Sequence, residues 1–125
     1  MRRHIEFITE RIVAPDVSAV TLETGAQVEF KGIVRGMENG RVIAGLQYEA
    51  YVAMAEVHVG RMIEELGRRW PCHAVWFIHR LGWVPVGEVS LYVRAEASHR
   101  EGAFRFCIEL IDLLKKDAPI WKAAV

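Results

Sequence analysis

The sequence predicts an α+β fold, a mainly antiparallel sheet carrying two main helices, and three observations support this. Two long segments repeat apolar residues at three- and four-residue steps, the period of an amphipathic helix. Several shorter segments alternate in polarity or run apolar over strand length. These strand-like segments are joined by turn signals such as Asn39-Gly40, and no βαβ repeat separates them. With 125 residues, 52% hydrophobic and 26% charged, the chain has the size and apolar content of one domain over residues 1–125.

His4 to Thr9 reads as a short strand, and Pro15 to Thr24 as a short helical or irregular connection begun by Asp16. Gln27 to Val34 alternates, with Val28 and Phe30 on one face and Glu29 and Lys31 on the other. Asn39-Gly40 marks a tight turn, so Val42 to Tyr48 is expected to return as the second arm of a hairpin. From Glu49 to Trp70 an apolar stripe through Ala55, Val59, Met62, Ile63 and Leu66 predicts a long helix, which Pro71 closes. His73 to Ile78 is an apolar strand, Gly82 to Gly87 a turn, and Val89 to Ala95 another strand. The last helix is expected from Ser98 to Asp117, with Ser98 as N-cap, Glu101 completing a capping box and Pro119 ending it. Strands around Gly25 to Gly45 are expected at a sheet edge, open to pairing with another chain.

Composition excludes several function classes. Lys plus Arg and Asp plus Glu are 16 each, so no global field attracts nucleic acid or an anionic membrane, and any anion site has to be local. No uncharged apolar run approaches the ~18 residues of a spanning helix, and MRRHIEFITER lacks the apolar stretch of a signal peptide. A cytoplasmic protein is expected. Cys72 and Cys107 have no CxxC or Cys/His spacing, and His4, His58 and His73 show no HExxH pattern, so neither metal nor cofactor is expected. There is no GxSxG and no nucleophile set beside a base, which argues against a hydrolase.

The residues that carry chemistry are basic. On a wheel of about 100° per residue with Phe104 at zero, Cys107, Ile108, Ile111 and Leu114 fall within roughly 80°, and Lys115 at about 20°. An ammonium on that face either meets an anion, gives up its proton, or runs its stem to water beside the helix C-terminus. Lys116 points to solvent. Pro119 breaks the helix, Ile120 and Trp121 look like an anchor, and a turn there brings Lys122 toward Lys115. Arg35 ends a strand between Gly32 and Gly36, where its fork suits a phosphate or carboxylate or serves as a solvated hairpin arginine. His99 and Arg100 begin the last helix, a position that favours an anion or ordinary capping. His79-Arg80 reads as structural.

Five ordered blocks make the chain recognisable: GAQVEFKGIVRG at Gly25 to Gly36, LQYEAYVAMAE at Leu46 to Glu56, HRLGWVPVGE at His79 to Glu88, ASHREGAF at Ala97 to Phe104, and DLLKKDAPIWK at Asp112 to Lys122. In them it resembles the large, catalytic subunit of molybdopterin synthase. The resemblance implies an α/β hammerhead-like fold with a small β subdomain. It also implies a sulfurtransferase of molybdenum cofactor biosynthesis, passing sulfur from the C-terminal thiocarboxylate of a small ubiquitin-like carrier to cyclic pyranopterin monophosphate. Catalytic roles fall on Lys115 and Lys122. The implied substrate pocket takes Ile33, Val34 and Arg35 from FKGIVR, His99 and Arg100 from ASHREGAF, and Lys115, Lys122, Ala123 and Ala124 from the tail. Past the tail lysine the family usually continues with charged residues, where this sequence reads Ala123-Ala124-Val125.

Arg100 and Lys115 are fifteen residues apart on one helix, about 22 Å at 1.5 Å per residue, too far for one small pterin. The conflict disappears in a symmetric homodimer whose two pockets are shared, a heterotetramer once two carriers bind. The competing expectation is a noncatalytic dimeric module that holds a ubiquitin-like partner or an anionic ligand.

Overall fold

Alternation in the strands and periodicity in the helices set which side chains meet in the computed structural model, which describes residues 1–16 and 20–124. Along the chain come β1 (Arg2–Ile8), β2 (Ala26–Ile33), β3 (Met37–Glu38), β4 (Arg41–Val42), β5 (Gly45–Ala50) and α1 (Val52–Arg69). Then follow β6 (Ala74–Arg80), β7 (Gly82–Pro85), β8 (Val89–Ala97), α2 (Arg100–Asp117) and β9 (Ile120–Ala124). The main sheet has the order β1-β6-β8-β2, with β1 parallel to β6 and the other pairs antiparallel. A smaller antiparallel sheet has the order β7-β5-β9, and β3 and β4 form a two-stranded hairpin. This is the expected α+β architecture, with the small β subdomain as the second sheet.

The central strands β6 and β8 are buried on both faces, which is why AVWFI runs apolar without alternation. Val75, Phe77, Val93 and Ala95 point to one face and pack against Val59 and Ile63 of α1 and Phe106 and Leu110 of α2. Trp76, Ile78 and Tyr92 point to the other, where Ile12 and Ala14 from the segment after β1 cover them. Gly25 is required by close approach, because a Cβ there would lie 2.2 Å from the Ser98 carbonyl oxygen.

Several sequence expectations change. The Asn39-Gly40 turn is present, both residues at positive φ (51° and 77°), but it joins only the two-residue strands β3 and β4. The long strands it was expected to pair go elsewhere, β2 to β8 and β5 to β7 and β9, because hydrophobic burial in two separate sheets outweighs local turn chemistry. Gly82 to Pro85 is strand β7, with fully buried Val84 as its inward residue. Ser98 is not the N-cap: His99 is, without a side-chain cap bond, and the Ser98 hydroxyl lies 3.3 Å from His73 Nε2. Within the connection read over Pro15 to Thr24, residues 17–19 lie outside the described residues, and Thr24 N–H donates to the Thr21 carbonyl in a turn.

The phase of α2 also differs. Its buried residues are Ala103, Phe106, Cys107, Leu110 and Leu114, a stripe centred about 80° from the one assumed. Phe104 and Ile108 are each 52% exposed, and Lys115 is exposed beside them. The two apolar stripes share Cys107 and Leu114, which are buried as expected, and the reading set the centre too far toward the exposed Phe104 and Ile108. Arg100, at the start of the helix, is exposed as well.

Candidate functional site

The end of the main sheet, the smaller sheet and the last turns of α2 enclose one cleft of about 650 Å³. Sequence features far apart in the chain converge there for local reasons. Pro119 stops α2, Ile120 N–H donates to the Ala118 carbonyl at 2.8 Å, and the chain folds back as β9 against β5 with Lys122 opposite Tyr48. That reversal puts Lys115, in the last helical turn, and Lys122, in the strand, on the same cleft. Across from them the β2 register shifts between Gly32 and Ile33, and Val34 is held by its N–H to the Glu88 carbonyl and by Gly87 N–H donating back. Arg35 follows and also lines the cleft. Gly32 serves packing as much as access, since a Cβ there would meet the Phe30 ring at 3.2 Å.

The electrostatics are one-sided. Lys31, Arg35, Lys115 and Lys122 line the cleft, and Glu38 from β3 is the one carboxylate among the described lining residues. Glu38 Oε1 lies 3.9 Å from Lys122 Nζ, whose side chain is 53% exposed, a weak pairing. Lys31, Arg35 and Lys115 have no ion-pair partner among the described residues. A cleft with three positive charges in excess is suited to a carboxylate, thiocarboxylate or phosphate.

Of the sequence-derived site residues, Ile33, Val34, Arg35, Lys115 and Lys122 meet at this cleft. His99 and Arg100 do not: both are exposed at the opposite end of α2. Ala123 and Ala124 continue β9 beyond the cleft, opposite Gln47 and Leu46. Of the courses open to the Lys115 ammonium, the structure takes the one that reaches water, with the residue exposed at the rim of the cleft.

The floor was missed by sequence reasoning. His79, Tyr48 and Ser90 form it, with the Tyr48 hydroxyl 3.3 Å from Ser90 Oγ, which in turn donates to the Gly32 carbonyl at 3.3 Å. The signal was a histidine ending an apolar strand, read as structural. Burial lowers the His79 pKa from its ordinary 6.5, with the bond to the Arg80 carbonyl opposing. Cys72 and Cys107 are buried away from the cleft, and burial pushes their thiols up to about 12 and about 11, so neither supplies a thiolate. No group of three or more His, Cys, Asp or Glu among the described residues is placed to hold a metal.

Comparison with known proteins gives this geometry a context. The family model described as MoaE protein matches residues 7–117. The molybdopterin synthase catalytic subunit of Homo sapiens is 33% identical over 123 residues, covering 97% of this chain and 65% of that protein. The protein of the same name from Pseudomonas aeruginosa is 39% identical over 98 residues, 78% of this chain and 65% of that one. The chain thus spans just under two thirds of these relatives' length. Among solved structures, molybdopterin synthase from Staphylococcus aureus superposes with a TM-score of 0.89 at 28% identity, over 97% of this chain and 90% of that one. A complex of subunits 1 and 2 of molybdopterin-converting factor from Helicobacter pylori matches with a TM-score of 0.69 at 27% identity, over 82% and 66%.

Proposed function

The chain belongs to the MoaE protein family, and from that premise we propose that residues 1–125 act as the catalytic subunit of a molybdopterin synthase. In this reading it is a sulfurtransferase that takes sulfur from the C-terminal thiocarboxylate of a small ubiquitin-like carrier and places it on cyclic pyranopterin monophosphate. The observation that carries the reading is the meeting of Arg35, Lys115 and Lys122, from three separate segments, on one cleft with excess positive charge.

The mechanism follows from those charges. An extended carrier tail entering beside Arg35 presents its thiocarboxylate to Lys115 and Lys122, which neutralise it and the oxyanion that forms as sulfur leaves. The exposed Lys115 amine also has the freedom to exchange protons with the substrate. His99 and Arg100 lie about 22 Å along α2 from Lys115, so they reach the substrate phosphate of a neighbouring protomer's cleft and not their own. The exposed Phe104 and Ile108 between these two ends support a homodimer packed along α2, a heterotetramer with two carriers. No described helix is long and apolar enough to cross a membrane, and the reading places the reaction in the cytoplasm.

The test is purified protein with thiocarboxylated carrier and pterin substrate, followed by dithiolene formation. Turnover is expected. Binding of the carrier without turnover would replace the enzyme by a noncatalytic module, and a monomer in sedimentation at micromolar concentration would remove the shared pocket.

A further inference from the structure

We propose that His79 is the proton acceptor of this cleft, its Nε2 lone pair activating the water that releases the carrier's acyl group. The inference rests on the sulfur-transfer reading and deepens it by giving the release step a base.

The geometry fixes which nitrogen is available. His79, the penultimate residue of β6, is 5% exposed and borders the cleft. Phe7 stacks on its ring at 6.1 Å between centroids, and Tyr48 meets it edge-on at 5.1 Å, so the ring is clamped. Nδ1 lies 2.8 Å from the Arg80 carbonyl oxygen, which can only accept, so Nδ1 carries the hydrogen and Nε2 the lone pair. Among the described residues no group donates to Nε2, and Arg80 Nε is the buried side-chain nitrogen left without a partner. Nε2 itself has no hydrogen-bond partner among the described residues and is not among the fully buried unpartnered atoms, so it keeps accessible surface on a residue that lines the cleft.

The surroundings keep the ring neutral and ready to accept. Burial disfavours the imidazolium. Facing it are Tyr48 from β5, and around the cleft Lys31, Arg35, Lys115 and Lys122 against Glu38, the one carboxylate among the described lining residues. This excess of positive charge acts in the same direction.

The chemistry needs such a group. Once the thiocarboxylate sulfur has bonded to the substrate carbon, the carrier's acyl carbon is still attached to it as a thioester. A water O–H gives its proton to Nε2 as the oxygen bonds to that carbon, and the oxyanion is met by the cleft lysines. The C–S bond then breaks with its electron pair on sulfur, and the imidazolium hands the proton to it. The products are the carrier's carboxylic acid, which ionises in solution, and the substrate thiol. Water is the sole co-reactant.

The test measures kcat and KM from about pH 5 to about pH 8 for wild type and His79→Gln, with thiocarboxylated carrier and pterin substrate. Glutamine preserves size and hydrogen bonding but cannot take up a proton. We expect kcat to fall by about 10²-fold or more, KM to change little, and the acid limb of the wild-type kcat profile, lying below the ordinary imidazole pKa, to vanish. A His79→Gln variant with wild-type kcat and an intact acid limb overturns the assignment while wild-type turnover leaves the sulfur-transfer reading standing. If wild type itself does not turn over, both fall. Should the glutamine variant not fold, ¹⁵N-edited spectra of wild-type imidazoles decide: hydrogen on Nδ1 supports the assignment, and hydrogen on Nε2 at neutral pH overturns it.

Discussion

Two regions of this molecule concentrate charge, and they treat it in opposite ways. On the sheet face away from the helices, Arg94 is 4% exposed and Glu96 fully buried, yet their polar groups close on other protein groups. Arg94 Nε donates to the Tyr92 hydroxyl at 2.8 Å, its Nη2 donates to the Pro15 carbonyl at 2.6 Å, and its guanidinium lies 4.8 Å over Trp76. Tyr92 donates to Glu29, and Gln27 donates to Glu96 at 2.6 Å. Burial, with the Glu29 bond, pushes the Tyr92 phenol up to about 12, so it stays a donor throughout the physiological range. In the cleft, by contrast, four cations stand against one carboxylate among the described residues, and only Lys122 pairs with it. The difference teaches where to look for function: charge that is satisfied internally holds the fold, and charge left without partners is kept for a ligand.

The comparison breaks most visibly if the two regions are disarmed separately. Lys115→Ala should lower sulfur-transfer kcat by about 10²- to 10³-fold, the scale of losing a group that stabilises transition-state charge, with the melting temperature nearly unchanged. Arg94→Ala should do the reverse, destabilising the fold by about 3–5 kcal/mol, because Glu96, whose Oε2 lies 4.0 Å from Arg94 Nη1, loses a cation while still buried. Calorimetry and initial rates on the two purified variants check both. A stable Arg94 variant, or an unfolded Lys115 variant, would abolish the distinction.

A smaller effect sharpens it within the cleft. Lys122→Ala should cost less than Lys115→Ala, about 10-fold or more in kcat/KM, since Lys122 already shares its charge with Glu38. Lys116→Ala should be nearly normal, because Lys116 is exposed next to Lys115 and does not line the cleft. Equal rates for the 115 and 116 variants would show that only the net charge of the helix end matters.

Legibility followed the physics of each signal. Helices α1 and α2 and strands β6 and β8 were readable because periodicity and unbroken apolar runs report burial directly. The basic residues of the cleft were readable at Lys115 and Lys122, since Pro119 made a reversal of the tail predictable, and at Arg35 through the family resemblance of FKGIVR. Strand partners were not: which strand β2 or β5 joins depends on long-range pairing, and Asn39-Gly40 speaks only for its own two neighbours. The phase of α2 failed where Phe104 and Ile108 are apolar and exposed, a pattern that a wheel cannot tell from core. His79 was missed because a floor needs two sheets to exist, and one strand's sequence carries no mark of the other.

The smallest effect concerns the single carboxylate that blurs the contrast. Glu38 sits beside the Asn39-Gly40 turn on a two-residue hairpin, and its Oε1 faces Lys122 at 3.9 Å, where an incoming anion would otherwise sit. Lys122 is half exposed, so the pair contributes only the ~0.2–1 kcal/mol of a solvated ion pair, and an anion displacing Glu38 gives up no more than that. Glu38→Gln should therefore tighten binding of the thiocarboxylated carrier by about 1.5- to 5-fold and leave stability unchanged. Because the competition is electrostatic, the gain should shrink as salt rises from about 50 mM toward about 300 mM, which isothermal titration at both concentrations measures. A gain that ignores salt would mean that the hairpin obstructs the cleft by shape, and no gain would mean that the ligand never competes for Lys122.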